Sequence, residues 1–264
     1  MTQTEHLQSV ILMIAKDIDS LCKAHGIKYY LLGGSALGAI RHKGFIPWDD
    51  DLDIAMLPED YSRFLETARK ELDPEKYYVQ EGRKDWPEDF SKIKLRGTNI
   101  EEAGGFRLEN GENGIYVDVF RIDHTARTKL GKISQYICGK LWISYAMLKK
   151  GYRPKELTKK IVMSVASLLR FSPFERFIYH QYIKYNNRPT ECYSEIFGRA
   201  RFHNAFTPKS LYGVPRLTKF EDTEFPVQEK CEEYLTRIFG DYMKLPPENQ
   251  RKGLHILNID FGNY

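Results

Sequence analysis

Residues 45–56 read FIPWDDDLDIAM, so Asp49, Asp50, Asp51 and Asp53 fall within five positions and apolar residues hem them in on both sides. Like charges this close repel, and an unpaired carboxylate in apolar surroundings either costs several kcal/mol or takes up a proton. The flanks argue against free solvation: Phe45, Ile46, Pro47 and Trp48 come before, Ile54, Ala55, Met56 and Leu57 after, and Leu52 between. From Asp51 to Ile54 polar and apolar residues alternate with the period of a strand. Asp51 and Asp53 then share one face, about 6 to 7 Å apart, while Leu52 and Ile54 enter a core. Two such acids suit a shared hard divalent cation, and Mg²⁺ takes one or two carboxylates together with water and phosphate oxygens. The alternative is a solvated acidic turn at a strand end. An EF-hand loop is excluded, because Ile54 stands where its turn needs Gly and Asp60 where it needs Glu.

Upstream, Ile27 to Leu32 reads as a strand that runs into Gly33-Gly34-Ser35 and a helical stretch, Ala36 to His42, with Ser35 as its N-cap. A strand-to-helix turn of this kind offers backbone N–H groups and the positive end of a helix dipole to an anion. Arg41, His42 and Lys43 add positive charge beyond it. Before the strand, Leu7, Val10, Ile11, Ile14, Ile18, Leu21 and Cys22 recur at helical spacing over residues 4–25, and Gly26 ends that helix.

Downstream, Pro58 opens a helix reaching about Leu72, with Tyr61, Phe64, Leu65 and Ala68 on its apolar face. Strands are predicted at Tyr77 to Gln80 and Ser91 to Leu95, and turns around Gly104-Gly105 and Asn110-Gly111. The run Gly114 to Phe120 is β-rich and apolar except for Asp118. That Asp is either satisfied by backbone donors on an edge strand or is a third metal carboxylate, brought beside Asp51 and Asp53 by strand pairing. A glycine turn, an Asp-x-Asp strand and a later single Asp, in that order, are what metal-dependent transfer at a nucleoside diphosphate requires.

The 264 residues, 42% hydrophobic and 29% charged, are those of a globular chain able to bury a sizeable core. No run of 18 apolar residues offers a membrane-spanning helix, and Met1 to Val10 lacks the basic start of a signal peptide. The four cysteines are dispersed with no ligand spacing, which points to free thiols and a cytoplasmic location. The net charge of +4 hides a segregation: Lys129 to Arg188 carries 13 Lys and Arg against Glu156 and Glu175, a net of +11, leaving −7 elsewhere. Such a block points to an anionic partner. It contains helices at about Leu130 to Leu148 and Glu156 to Leu169. In the second, Leu157, Ile161, Val162, Val165, Leu168 and Leu169 form an apolar face flanked by Lys155, Lys159, Lys160 and Arg170. The default is core packing with a solvated basic face, and the alternative is a helix lying on an anionic membrane.

Residues 33–56, GGSALGAIRHKGFIPWDDDLDIAM, resemble the signature of the LicD family, the bacterial phosphocholine transferases related to fukutin-type ribitol-phosphate transferases. The resemblance continues at Lys92 to Glu101, Gly114 to Phe120, Phe220 to Pro226 and Phe239 to Pro247. It departs at Arg121, where many members carry Pro before an Ile/Leu-Asp pair. It implies an α/β (α+β) fold, a nucleotidyltransferase-like mixed β-sheet flanked by helices with a basic helical insertion. The expected division is a catalytic core over residues 1–125, a basic helical segment over 126–190, and a C-terminal part over 191–264 packing on the core as one integrated domain.

The resemblance further implies transfer of phosphocholine, or a related phosphoalcohol such as glycerol or ribitol phosphate, from a CDP-alcohol such as CDP-choline. The acceptor would be a hydroxyl of a teichoic acid or lipopolysaccharide precursor, and CMP the product. Mg²⁺ would sit on Asp51 and Asp53, with Asp118 completing the site and accepting the hydroxyl proton, and Asp49 as a further ligand. Alternation puts Asp50 on the other face, in a structural hydrogen bond. Gly33, Gly34 and Ser35 would hold phosphate, Arg41 and Lys94 would offset its charge, and Trp48 is the aromatic nearest the acids, for a quaternary ammonium or for the core. A lipid-linked acceptor would keep the enzyme peripheral to the inner membrane face, with no nucleic acid as partner. The rival readings are a nucleotidyltransferase moving NMP from an NTP, and a non-catalytic protein whose basic block docks on anionic lipid or RNA.

Overall fold

The acidic stretch leads into Asp53–Met56, the second strand of a five-stranded mixed sheet. The computed structural model describes residues 1–102, 107–152, 156–168, 171–188, 190–197, 200–253 and 256–264, without the side chains of Thr158, Lys159 and Val165. The chain divides into two compact units, Met1–Arg121 with Leu211–Tyr264, and Ile122–Ser210 between them in sequence.

The first unit runs α1 (Gln3–Ala24), β1 (Tyr30–Leu31), α2 (Gly33–Leu37), β2 (Asp53–Met56), α3 (Pro58–Glu71), β3 (Tyr77–Gln80), β4 (Ser91–Leu95), β5 (Asn99–Glu102) and β6 (Tyr116–Arg121). Five of its strands form a sheet in the order β1-β2-β6-β4-β3. β2 and β6 are parallel and the other neighbours antiparallel. This is the mixed sheet flanked by helices that the sequence implied. Leu52, Ile54, Val117 and Val119 are buried, and α1 packs on β6 while α3 packs on β2. The predicted apolar faces of α1 and α3 are the buried ones. Each fully buried Leu or Ile contributes about 1.5 to 3 kcal/mol. A capping box between Thr2 and Glu5 starts α1.

The second unit holds β7 (Asp123–His124), α4 (Lys129–Lys149), α5 (Leu157–Leu168), α6 (Ser172–Ile183), β8 (Cys192–Ser194) and β9 (Phe206–Pro208), with Trp142, Tyr145, Ala166, Ile178 and Tyr182 in its core. α7 (Lys209–Tyr212) leads back to the first unit, which ends with the hairpin β10 (Arg216–Phe220) and β11 (Thr223–Val227), then α8 (Cys231–Phe239) and β12 (Ile256–Asp260) paired with β5. Among the described residues no helix is long and apolar enough to cross a membrane.

Three readings change. The strand expected over Ile27 to Leu32 shrinks to Tyr30–Leu31, because it ladders only with Ala55 and Ile54 of a four-residue β2. Ser35 is not an N-cap: α2 starts at Gly33 after Leu32, and a π-helical turn, Gly38–His42, follows it. On α5 the apolar side chains expected in the core are exposed, Leu157 at 72%, Ile161 at 57% and Leu168 at 85%, and the helix buries Met163 and Ala166 instead. Gly104, Gly105, Lys155, Leu169 and Arg170, and the side chains of Lys159 and Val165, lie outside the described residues. α6 has no counterpart in the sequence reading.

Gly38 shows how tightly the entry to the acidic stretch is folded. A Cβ there would lie 2.5 Å from the Gly44 carbonyl oxygen, a backbone atom with no rotamer to yield. Gly38→Ala is therefore expected to cost about 1 to 3 kcal/mol. Thermal unfolding should show a Tm lower by about 3 °C or more, and an unchanged Tm would mean that this loop is free to move aside.

Candidate functional site

The site begins with strand register. The parallel pairing of β2 and β6 sets Asp53 opposite Asp118, and the antiparallel pairing of β6 and β4 sets Asp118 opposite Lys92. Direct partners on neighbouring strands face the same side of a sheet. The result is a row of acid, acid and base. Backbone bonds hold it: Asp118 N–H donates to the Leu52 carbonyl at 3.1 Å, and Leu32 N–H to the Asp53 carbonyl at 3.0 Å.

The glycine turn is tied to this row. The Ser35 hydroxyl oxygen accepts the Asp53 N–H at 2.8 Å, so its lone pair orients the acid strand. A Cβ on Gly34 would come within 3.2 Å of the Asp49 carboxylate, so the bare backbone there lies against the acids. Gly33 has φ of 49°, in the left-handed region that favours glycine, and its N–H points to the Tyr234 hydroxyl at 3.4 Å.

Asp49, Asp50 and Asp51 precede β2 in a turn pinned by Gln8, whose side-chain amide donates to the Ile46 carbonyl at 3.0 Å and the Asp49 carbonyl at 2.9 Å. Strand alternation does not reach back this far. Carboxylate oxygens of Asp49, Asp50 and Asp51 all lie within 4.8 Å of one another, so Asp50 is not turned away from the cluster. One of its oxygens also accepts the Ile256 N–H at 3.1 Å, a structural bond to the start of β12.

The crowding shows in the proton affinities. Burial, then Asp51 and Asp50, push the Asp49 carboxyl up to about 8. Burial, Asp51, Asp118 and Asp49 hold Asp53 well above the usual carboxylate range. Asp118 is raised to about 7, chiefly by burial, with Lys92 pulling it down and Glu102 and Asp51 adding to the rise. These groups keep protons near neutrality unless a cation offsets them. An oxygen-only donor set under that electrostatic load fits a hard divalent ion.

Lys92 is the residue that sequence reasoning passed over. It is 3% exposed, with its ammonium 2.9 Å from Glu102, 3.4 Å from Asp118 and 3.2 Å from the centre of the Tyr116 ring. Burial alone would lower its affinity for a proton, but Asp118 and Glu102 outweigh burial and raise it. The available signal was the alternation of Ser91-Lys92-Ile93-Lys94-Leu95, which puts both lysines on one face. The partner strand was not readable.

The remaining candidates are anchored as follows. Lys94 is buried, not solvated, and donates to the Glu112 carbonyl at 3.0 Å; burial and Lys92 lower its pKa to about 8. Arg41 donates to the Tyr242 carbonyl at 2.6 Å. Trp48 is half-buried rather than in the core, edge-on to His42, with the Arg251 guanidinium 5.5 Å from its ring centre. Arg121, the departure from the family pattern, pairs with Asp89 at 2.8 Å. The site thus gathers Gly34, Ser35, Asp49, Asp50, Asp51, Asp53 and Asp118, while Arg41 and Lys94 hold backbone carbonyls.

Residues 26–135 match the family model described as LicD/FKTN/FKRP, nucleotidyltransferase domain. The chain is 31% identical over 259 residues to the lipopolysaccharide cholinephosphotransferase LicD of Haemophilus influenzae, covering 94% of each. It is also 46% identical over 46 residues to the ribitol 5-phosphate transferase FKRP of human and of mouse, 17% of this chain and 9% of those proteins.

The raised carboxyls set a pH dependence. Between about 4, the unfolded carboxylate value, and about 8 for Asp49, the cation-free folded chain binds more protons than the unfolded one. The stability these acids contribute is therefore present at low pH and lost as pH rises through the folded values. In the presence of a chelator, Tm should fall from about pH 5.5 to about pH 8.5, and Asp49→Asn should flatten that fall. A flat or rising profile in the wild type would contradict the crowding.

Proposed function

The chain belongs to the LicD/FKTN/FKRP family, a family of phosphotransferases, and on that premise we propose that it transfers phosphocholine from CDP-choline to a hydroxyl of a lipopolysaccharide-type glycan, releasing CMP. The observation that carries this reading is the match to a lipopolysaccharide cholinephosphotransferase along 94% of both chains.

Asp51, Asp53 and Asp118, with Asp49 beside them, are the residues that would hold Mg²⁺, which when bound neutralises charge on the diphosphate as CMP leaves. The bare backbone at Gly34 would receive a phosphate oxygen, with Gly33 and Ser35 shaping the turn around it. The acceptor oxygen attacks the phosphorus that carries choline, the bond to the bridging oxygen breaks, and the hydroxyl proton passes to Asp118. Lys92, 3.4 Å away, holds that carboxylate in place before the proton arrives. Arg41 and Lys94 offset the negative charge of the donor. Trp48, with the Arg251 guanidinium 5.5 Å from its ring centre, would offer its other face to the quaternary ammonium. The shorter match to ribitol 5-phosphate transferases supports CDP-ribitol as the second candidate donor, with CDP-glycerol behind it and teichoic acid as the corresponding acceptor.

Titration calorimetry with CDP-choline, CDP-ribitol and CDP-glycerol, each with and without Mg²⁺, separates these donors. CDP-choline is expected to bind, and only with Mg²⁺. Binding of CDP-ribitol alone would move the assignment to the second donor, and binding of none of the three, with diphosphate released from an NTP, would move it to nucleotidyl transfer. Asp53→Asn is expected to lower turnover by about 100-fold or more with Tm unchanged or raised, since it removes a repelled carboxylate. Near-normal turnover in that variant would remove Asp53 from the site.

A further inference from the structure

α5 presents its apolar side outward. At about 100° per residue, Leu157, Ile161 and Leu168 share one side of the helix and Met163 and Ala166 the opposite one. The first three are 72%, 57% and 85% exposed, whereas Met163 is 7% and Ala166 0% exposed. α5 packs on α4, and Ala166 reaches the core of its unit. Val162 at 51%, Phe171 at 55% and Phe177 at 54% are further exposed apolar side chains of this unit. A helix that leaves Leu157, Ile161 and Leu168 in solvent on one side presents a large apolar surface to something other than its own core.

Charge identifies that surface. Lys160 is exposed on the helix next to Ile161, and Arg176 is exposed next to Phe177. Both belong to the block Lys129–Arg188, with its net charge of +11. A second copy of the chain on this face would bring two such blocks together, at a cost in like-charge repulsion. We infer that the outward face of α5 docks on an anionic lipid bilayer, Leu157, Ile161 and Leu168 entering the headgroup region and the surrounding Lys and Arg pairing with lipid phosphates. This inference concerns the second unit alone and does not depend on the identity of the donor.

Co-sedimentation with vesicles tests it, using phosphatidylcholine alone and phosphatidylcholine mixed with phosphatidylglycerol. The wild type should partition at least tenfold more strongly onto the anionic vesicles, and salt of about 0.5 M should weaken this. The variant Leu157→Ser/Ile161→Ser/Leu168→Ser and the variant Lys160→Glu/Arg176→Glu should each lose tenfold or more. A fluorophore on Ser164→Cys, an exposed position on the same side of the helix, should shift to the blue on anionic vesicles, which keeps the test decisive if the serine variant fails to fold. Three results would overturn the inference. They are no sedimentation of the wild type at low salt, undiminished binding by the folded serine variant, and a concentration-dependent dimer abolished by that variant, which would give the face to a second copy.

Discussion

The pairing of β2 with β6 is the constraint on which the site depends. It sets Asp53 beside Asp118 in one row of the sheet, where burial leaves the carboxylates little water. Two like charges held together this way are unfavourable for folding. Their proximity is maintained by the burial of Leu52, Ile54, Val117 and Val119 along the same two strands. The hydrophobic core therefore enforces an electrostatic conflict that the backbone cannot relax. Strain of this sort, offset elsewhere in the fold, is a usual mark of a functional site.

The surrounding parts relieve the conflict in stages. Lys92 takes up Asp118 and Glu102 on one side of the row, and the Tyr116 hydroxyl also donates to Glu102 at 2.6 Å. At the other side Ser35 and Gly34 bring a polar backbone against the acids. Distant stretches then lock the turn. Gln8 of α1 holds its carbonyls, Ile256 of β12 donates to Asp50, and Glu221, between β10 and β11, accepts the Phe45 N–H at 2.9 Å. The C-terminal segments thus share in building the acidic site although they contribute none of its clustered carboxylates. A hard cation there would complete the balance, and under the proposed reading the same charge would stabilise the phosphate of CMP as it leaves.

The two units use the apolar faces of their helices differently. In the first, apolar periodicity and burial agree, so α1 and α3 lie with their stripes inward. In the second, α4 and α6 supply most of the core and α5 adds Ala166 and Met163 while turning Leu157, Ile161 and Leu168 out. Amphipathic periodicity specifies that a helix has an apolar face, but not whether protein or lipid covers it.

Sequence alone determined what is local or chemically improbable by chance. The helices at the N-terminus and after Pro58, the strands Tyr77–Gln80 and Ser91–Leu95, and Asp118 inside an apolar strand were legible because period and punctuation are properties of neighbouring residues. The family resemblance was legible because GGSALGAIRHKGFIPWDDDLDIAM is long and ordered. Tertiary structure decided everything that depends on who lies across the sheet. The placement of Lys92 against Asp118 follows from a register that no single strand encodes. The convergence of Asp50 with Asp49 and Asp51 follows from a turn where the strand period was assumed to continue. Ser35 became an orienting acceptor for Asp53 rather than a helix cap because α2 begins three residues earlier than its side chain implied. Side-chain chemistry is written in the chain, but pairing is chosen by the packing of the whole core.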